Sequence, residues 1–135
     1  MTLHVELVSP ERILFSGDAE MVICRTIGGG EIAFLTGHTP FLGALAEAPV
    51  RIRTTEGQWE DAAVHGGFVH VRDNSVILLS DLAELASQID FERARRDRDE
   101  LERKTMDTDD VAVESRLRRV HVSLQLDGGI KGTAP

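Results

Sequence analysis

The feature that most constrains this chain is a change of hydrophobic period between Asp81 and Asp90. Before it, Leu3-His4-Val5-Glu6-Leu7 and Phe68-Val69-His70-Val71 alternate apolar and polar side chains, the pattern of a sheet with one buried face. After it come helix caps, oppositely charged residues four apart and a sparse apolar seam. A mostly β chain with an α appendage is therefore expected: a β body over residues 1–86 and a helical arm over 87–135, its tail disordered from about residue 127. With 135 residues the chain has room for one main core plus that appendage.

Charge separates the two parts. Residues 1–88 hold 12 acidic and 5 basic side chains and residues 89–135 hold 11 and 10, which together give the net charge of -8. An acidic body with one Trp and no Tyr lacks the cationic footprint of a nucleic-acid binder. The one cysteine, Cys24, sits in the apolar run Met21-Val22-Ile23-Cys24 and reads as a small buried hydrophobe. No run approaches the roughly 20 apolar residues of a membrane span. These features together predict a soluble protein of a reducing compartment, open to association with a membrane complex.

Along the body, Leu3 to Ser9 and Arg12 to Ser16 form a first hairpin around Pro10-Glu11, with Ile13 and Phe15 on one face. Further strands are predicted over 19–26, 31–35, 41–45 and 50–54, the last paired with 58–64 across Glu56-Gly57. Gly66-Gly67 marks a bend or bulge, and strands 68–72 and 75–79 join through Asp73-Asn74. Eight to ten short strands at this spacing imply a β-sandwich or flattened barrel. Residues 80–86 read as a turn or short helical piece.

In the arm, Asp90 is placed to cap a helix. From Glu92 to Lys104, 11 of 13 residues are charged, with Glu92/Arg96, Asp99/Arg103 and Glu100/Lys104 in the favourable order, and only Phe91, Ala94 and Leu101 are apolar. Asp107-Thr108-Asp109-Asp110 supplies a turn and a second cap, Val113, Leu117, Val120 and Leu124 form a coiled-coil-like seam, and Gly128-Gly129 ends the helix. An antiparallel two-helix hairpin follows, and so thin a first-helix stripe makes its packing marginal.

Nothing points to catalysis. Gly28-Gly29-Gly30 lacks the Gly-Lys-Ser/Thr of a phosphate loop, and the five histidines, at positions 4, 38, 65, 70 and 121, show no zinc-ligand spacing, so no metal is expected. Ser9, Ser16 and Ser80 lie beside turns with no nucleophile-elbow context.

The order of Leu7-Val8-Ser9-Pro10-Glu11, Leu14-Phe15-Ser16-Gly17, Gly30-Glu31-Ile32 through Gly37-His38-Thr39-Pro40, Gly66-Gly67-Phe68 and Leu79-Ser80-Asp81 resembles the epsilon subunit of bacterial F-type ATP synthases, over about residues 3–95. The resemblance implies an N-terminal ten-stranded β-sandwich and a C-terminal two-helix domain. It implies a non-catalytic rotor subunit of the central stalk, peripheral at the cytoplasmic face of the cell membrane, that couples the gamma subunit to the c ring in ATP synthesis and hydrogen-ion transport. The arm would reach transiently toward the alpha/beta catalytic hexamer and inhibit ATP hydrolysis.

Residue by residue, the segment from Glu31 to His38 matches the part of the family that faces the c ring, and these two are the contact candidates. Ile89-Asp90 with Arg93-Ala94 matches the pattern by which some members bind regulatory ATP, which makes Asp90 and Arg93 nucleotide-binding candidates and ATP the one ligand expected; no other cofactor is implied. Glu100 stands near the place where such members carry another Arg. Arg116, Arg118 and Arg119 are the candidates for the inhibitory contact with acidic surface on the catalytic beta subunit. Two other readings remain open, an ATP-sensing binding module and a free β-sandwich adaptor.

Overall fold

A computed structural model describes residues 2–107 and 110–127. Seven strands precede two helices: β1 (Leu3–Val8), β2 (Ile13–Thr26), β3 (Gly30–Phe34), β4 (Phe41–Thr54), β5 (Trp59–Arg72), β6 (Ser75–Leu79), β7 (Ala83–Leu85), a 3₁₀ turn at Ala86–Gln88, α1 (Phe91–Asp107) and α2 (Val111–Leu124). The strands run in the order β1-β6-β5-β4-β2-β3, and β1 also pairs with β2, so five of them close into a barrel-like ring. β3 continues from β2 as a free edge, and β7 pairs with β5 beyond the end of β6.

The strand count corrects the expected ten-stranded sandwich to seven. Three segments that read as pairs of short strands are single strands of 14 residues, because Gly17, Pro49 and Gly66-Gly67 do not end the ladders they interrupt. The β4–β5 register runs unbroken from Phe41 opposite Val71 to Arg53 opposite Trp59. Pro49 is tolerated because the β2–β4 pairing skips from Ile23/Arg51 to Thr26/Leu45, leaving no ladder bond there for its missing N–H. Gly66 and Gly67, at φ 90° and 122°, bend β5 where its neighbour changes from β7 to β6. A Cβ on Gly67 would collide with the Leu79 carbonyl. The strand β7 replaces the expected turn or helical piece: only three residues long, it is too short to display a period.

Alternation builds the core. One continuous cluster draws on every strand, including Leu3, Val5, Leu7, Val22, Phe34, Ile52, Val69, Val71, Val76, Leu78 and Ala83. Ile13 and Phe15 do not share a face as expected: the register shifts between Leu7/Phe15 and Val8/Ile13, so Phe15, opposite the buried Leu7, packs against the core with Leu14, while Ile13 is exposed. The Asp73-Asn74 turn takes positive φ at both residues (50° and 60°), the geometry that follows the right-handed twist of the paired strands.

The helices fold back onto the outer face of β4 and β5, where Val122 and Leu126 cover Ala63 and pack with Ala86, Ile89 and Phe91. Asp90 caps α1 as expected, its Oδ1 accepting the Arg93 amide at 3.1 Å, and Asp110 caps α2 through the Ala112 amide at 2.9 Å. Leu101 is the one buried side chain of α1. Of the three four-residue ion pairs expected on that helix, Glu100–Lys104 forms, at 3.2 Å. The seam of Val113, Leu117, Val120 and Leu124 is half-buried, while the deeper contacts of α2 come from Val122 and Ser123 on another face. Thr108 and Asp109 of the expected interhelical turn, the Gly128-Gly129 stop and the expected disordered tail from Gly128 onward lie outside the described residues.

Candidate functional site

Two places on the molecule combine exposure with chemistry. The first is a cleft of about 380 Å³ where α1, α2 and the sandwich meet. The cap at Asp90 starts α1 so that Asp90, Arg93 and Asp97 line one side, while Arg116 and Arg119 line the opposite side from α2 and His65 and Glu84 form the floor. Among the described residues, no carboxylate lies within ion-pairing distance of Arg93, Arg116 or Arg119. Three guanidinium groups free to bind in one cleft suit a polyanion.

The structure thus joins two groups of residues assigned to different jobs. Asp90 and Arg93, the nucleotide candidates, share the cleft with Arg116 and Arg119, two of the three inhibitory-contact candidates. Arg118 lies elsewhere, exposed and bonded to Ser115 Oγ at 3.0 Å. The Asp90 carboxylate is already engaged through Oδ1 with the helix end, which leaves Oδ2 for a ligand.

His65, which the sequence did not single out, sits on the same outer face of β5 as Ala63 and shares the arm's cover. Its Nδ1 is buried with no hydrogen-bond partner among the described residues. Burial lowers its pKa from the ordinary 6.5, the Glu47 charge works against that shift and the Arg119 charge adds to it. Cys24, 1% exposed, is the inert core residue expected, its thiol pushed up to about 11 by burial and, secondarily, by Glu31.

The second place is an apolar stripe on the outer surface of the sheet. The register sets Ile13 beside Val8, Val8 beside Leu79, Leu79 beside Phe68 and Phe68 beside Ala44, one row across five strands. Ile13, Phe68 and Leu79 are 62%, 58% and 50% exposed, and Leu42 in the next row is 71% exposed. Phe68 lines a small apolar hollow with Pro10, Gly67 and Leu79. A contiguous exposed row of this kind is the surface of a docking site. The signal was in the sequence: Phe68 alternates in phase with His70 and Arg72, opposite to the buried Val69 and Val71.

Glu31 and His38 are not brought together. Both belong to the free edge, Glu31 near the start of β3 and His38 in the loop after its end. Glu31 shares a shallow recess with Arg25, Glu47 and Gln125. His38 is fixed by Nδ1 contact with the Thr39 carbonyl at 2.7 Å and by an edge-to-face contact with Phe34, ring centres 4.8 Å apart. Among the described residues no cluster of His, Cys, Asp and Glu could hold a metal, and no helix is long and apolar enough to cross a membrane.

Residues 2–86 match the family model described as ATP synthase, Delta/Epsilon chain, beta-sandwich domain. The chain is 47% identical to the ATP synthase epsilon chain of Streptomyces avermitilis over 121 residues, 87% of this chain and 94% of the relative. It is 44% identical to that of Brevibacillus brevis over 102 residues, 76% of each chain. In fold it is similar to a chain of the Euglena gracilis mitochondrial ATP synthase OSCP/F1/c-ring assembly, with a TM-score of 0.71 at 22% identity, covering 92% of this chain and 76% of that one.

Proposed function

The chain belongs to the epsilon-chain family of ATP synthases, whose members are non-catalytic stalk subunits, and from that premise we propose that its β-sandwich couples the gamma subunit to the c ring while the helical arm restrains ATP hydrolysis. The observation that carries this reading is the apolar row from Ile13 to Phe68, which is unfit for water and suited to a partner's apolar surface. Gamma is assigned to that row. The free edge holding Glu31 and His38 is assigned to the polar loops of the c ring. The division of labour falls at about residue 86, with the sandwich as docking part and the arm as regulator. The complex would hold the chain peripherally at the cytoplasmic face of the cell membrane.

The inhibitory step requires the arm to leave the sandwich. While it lies folded back, Arg116 and Arg119 line the cleft and Arg118 is the one member of the set outside it. Lifting the arm would present all three to acidic surface on the catalytic hexamer. Phe68→Glu, at an exposed position, should leave the fold intact and weaken co-purification with gamma by at least tenfold, about 1.4 kcal/mol. Undiminished capture of gamma would remove the docking assignment.

A second reading is favoured by the cleft itself: ATP would hold the arm down, with Arg93, Arg116 and Arg119 on its phosphates and the free oxygen of Asp90 on a hydroxyl or amino group. Calorimetry of the full chain should then detect ATP and lose the signal in Arg93→Gln. Absence of heat at millimolar ATP would end this reading.

A further inference from the structure

We propose that His65 is a proton-operated release for the helical arm: the neutral ring lets α2 lie on β5, and the protonated ring drives it off. The argument begins with the face that the arm covers. Ala62, Ala63 and Val64 are buried in succession, which a strand achieves only when both its faces are covered, and the outer cover is Val122 and Leu126 of the arm. His65 is the next outward-facing residue after Ala63, so its ring lies at the margin of that same contact.

The charges around the ring come from every element packed there. On β4, Glu47 is directly opposite His65 in the ladder; on β7, Glu84 lines the cleft; on α2, Arg116 and Arg119 do; and Arg93 and Asp97 of α1 do, with its cap Asp90. Two carboxylates, Glu47 and Glu84, belong to the sandwich and stay with His65 when the arm leaves, whereas Asp90 and Asp97 go with α1. The cations of α2 leave with the arm. A proton on His65 is therefore opposed by Arg119 in the docked state and free of it in the undocked state.

Hydrogen bonding points the same way. The buried Nδ1 has no acceptor among the described residues, so a proton placed there in the docked arrangement has nowhere to donate. Lifting the arm opens the site to water.

In the docked arrangement burial and then the Arg119 charge hold His65 below its ordinary value against the pull of Glu47, and removing the arm's cover and Arg119 relieves both, so the docked state binds fewer protons than the undocked one. The docking advantage is complete above the ordinary value of 6.5 and is lost as pH falls from there through the lower, docked value. Each unit between the two values changes the docking equilibrium tenfold. Any consequence for ATP hydrolysis rests on the inhibitory reading of the arm, whereas the release itself does not.

The test reads arm position directly and needs no other subunit. Spin labels on the full-length chain carrying Cys24→Ser, at Arg103→Cys on α1 and Glu56→Cys on the β4–β5 turn, report the docked and undocked distances between pH 7.5 and 5. The docked population is expected to fall several-fold across that range, and His65→Gln, which cannot take the proton, is expected to abolish most of the fall. Arg119→Gln should move the release to lower pH. The same pH dependence in His65→Gln as in the parent would assign the change to other groups and overturn the proposal, as would a parent arm that stays docked throughout. Should His65→Gln fail to fold, a ring titration by NMR decides: a His65 that titrates at its ordinary value while the arm is docked overturns the proposal.

Discussion

The sandwich and the arm are held by contacts of different kinds and very different depth. The sandwich core takes buried apolar side chains from all seven strands, and Leu3, Val5, Leu7, Phe34, Ile52 and Leu78 are wholly inaccessible. The arm's first helix buries Leu101 alone, and its second reaches the sandwich mainly through Val122 and, in the turn after it, Leu126. Full burial of those two side chains stabilises docking by about 1.5–3 kcal/mol each before the cost of ordering the arm is subtracted. The difference teaches how one short chain can have a part that never lets go and a part that does.

The largest expected effect is in the sandwich. Phe34→Ala should lower global stability by about 3–5 kcal/mol, because Phe34 is fully buried and also meets Phe41 and His38; denaturant unfolding checks it. A loss below 1 kcal/mol would mean that the core is looser than its burial implies. Leu126→Ala sharpens the contrast, since a cost of about 2 kcal/mol should appear as loss of arm docking, read from helix amide exposure, while the unfolding midpoint of the sandwich hardly moves. A drop in that midpoint as large as that of Phe34→Ala would break the distinction between the two parts. The smallest effect is expected from Arg95→Gln. Arg95 bridges the helices to Asp127 at 2.5 Å, but both side chains are more than 40% exposed, so the change should cost less than about 1 kcal/mol and fade in high salt.

The same contrast explains what could be read from the sequence. Period 2 marked β1 and β6 because each buries one face, and Asp73-Asn74 marked its turn because that geometry needs residues tolerant of positive φ. Strand continuity was not legible: Gly17, Pro49 and Gly66-Gly67 look like terminators, and whether a ladder continues through them depends on partners distant in the chain. In the arm, Asp90 and Arg93 are linked by the resemblance of Ile89-Asp90 and Arg93-Ala94 to a family pattern, which is contiguous in the chain. Their meeting with Arg116, Arg119 and His65 is tertiary and leaves no local pattern. The docking face of α2 escaped notice because Val122 and Leu126 lie beside a more regular seam, although the consecutive Ala62-Ala63-Val64 on β5 signalled that something covers that strand.

Residue-resolved hydrogen exchange on the full-length chain at neutral pH tests the central claim most directly. Amides of α1 and α2 should exchange through an opening several kcal/mol easier than global unfolding, while those of β1, β5 and β6 exchange only with it. Equal opening free energies in helices and strands would show one cooperative unit and contradict the account of a firm docking body with a releasable arm.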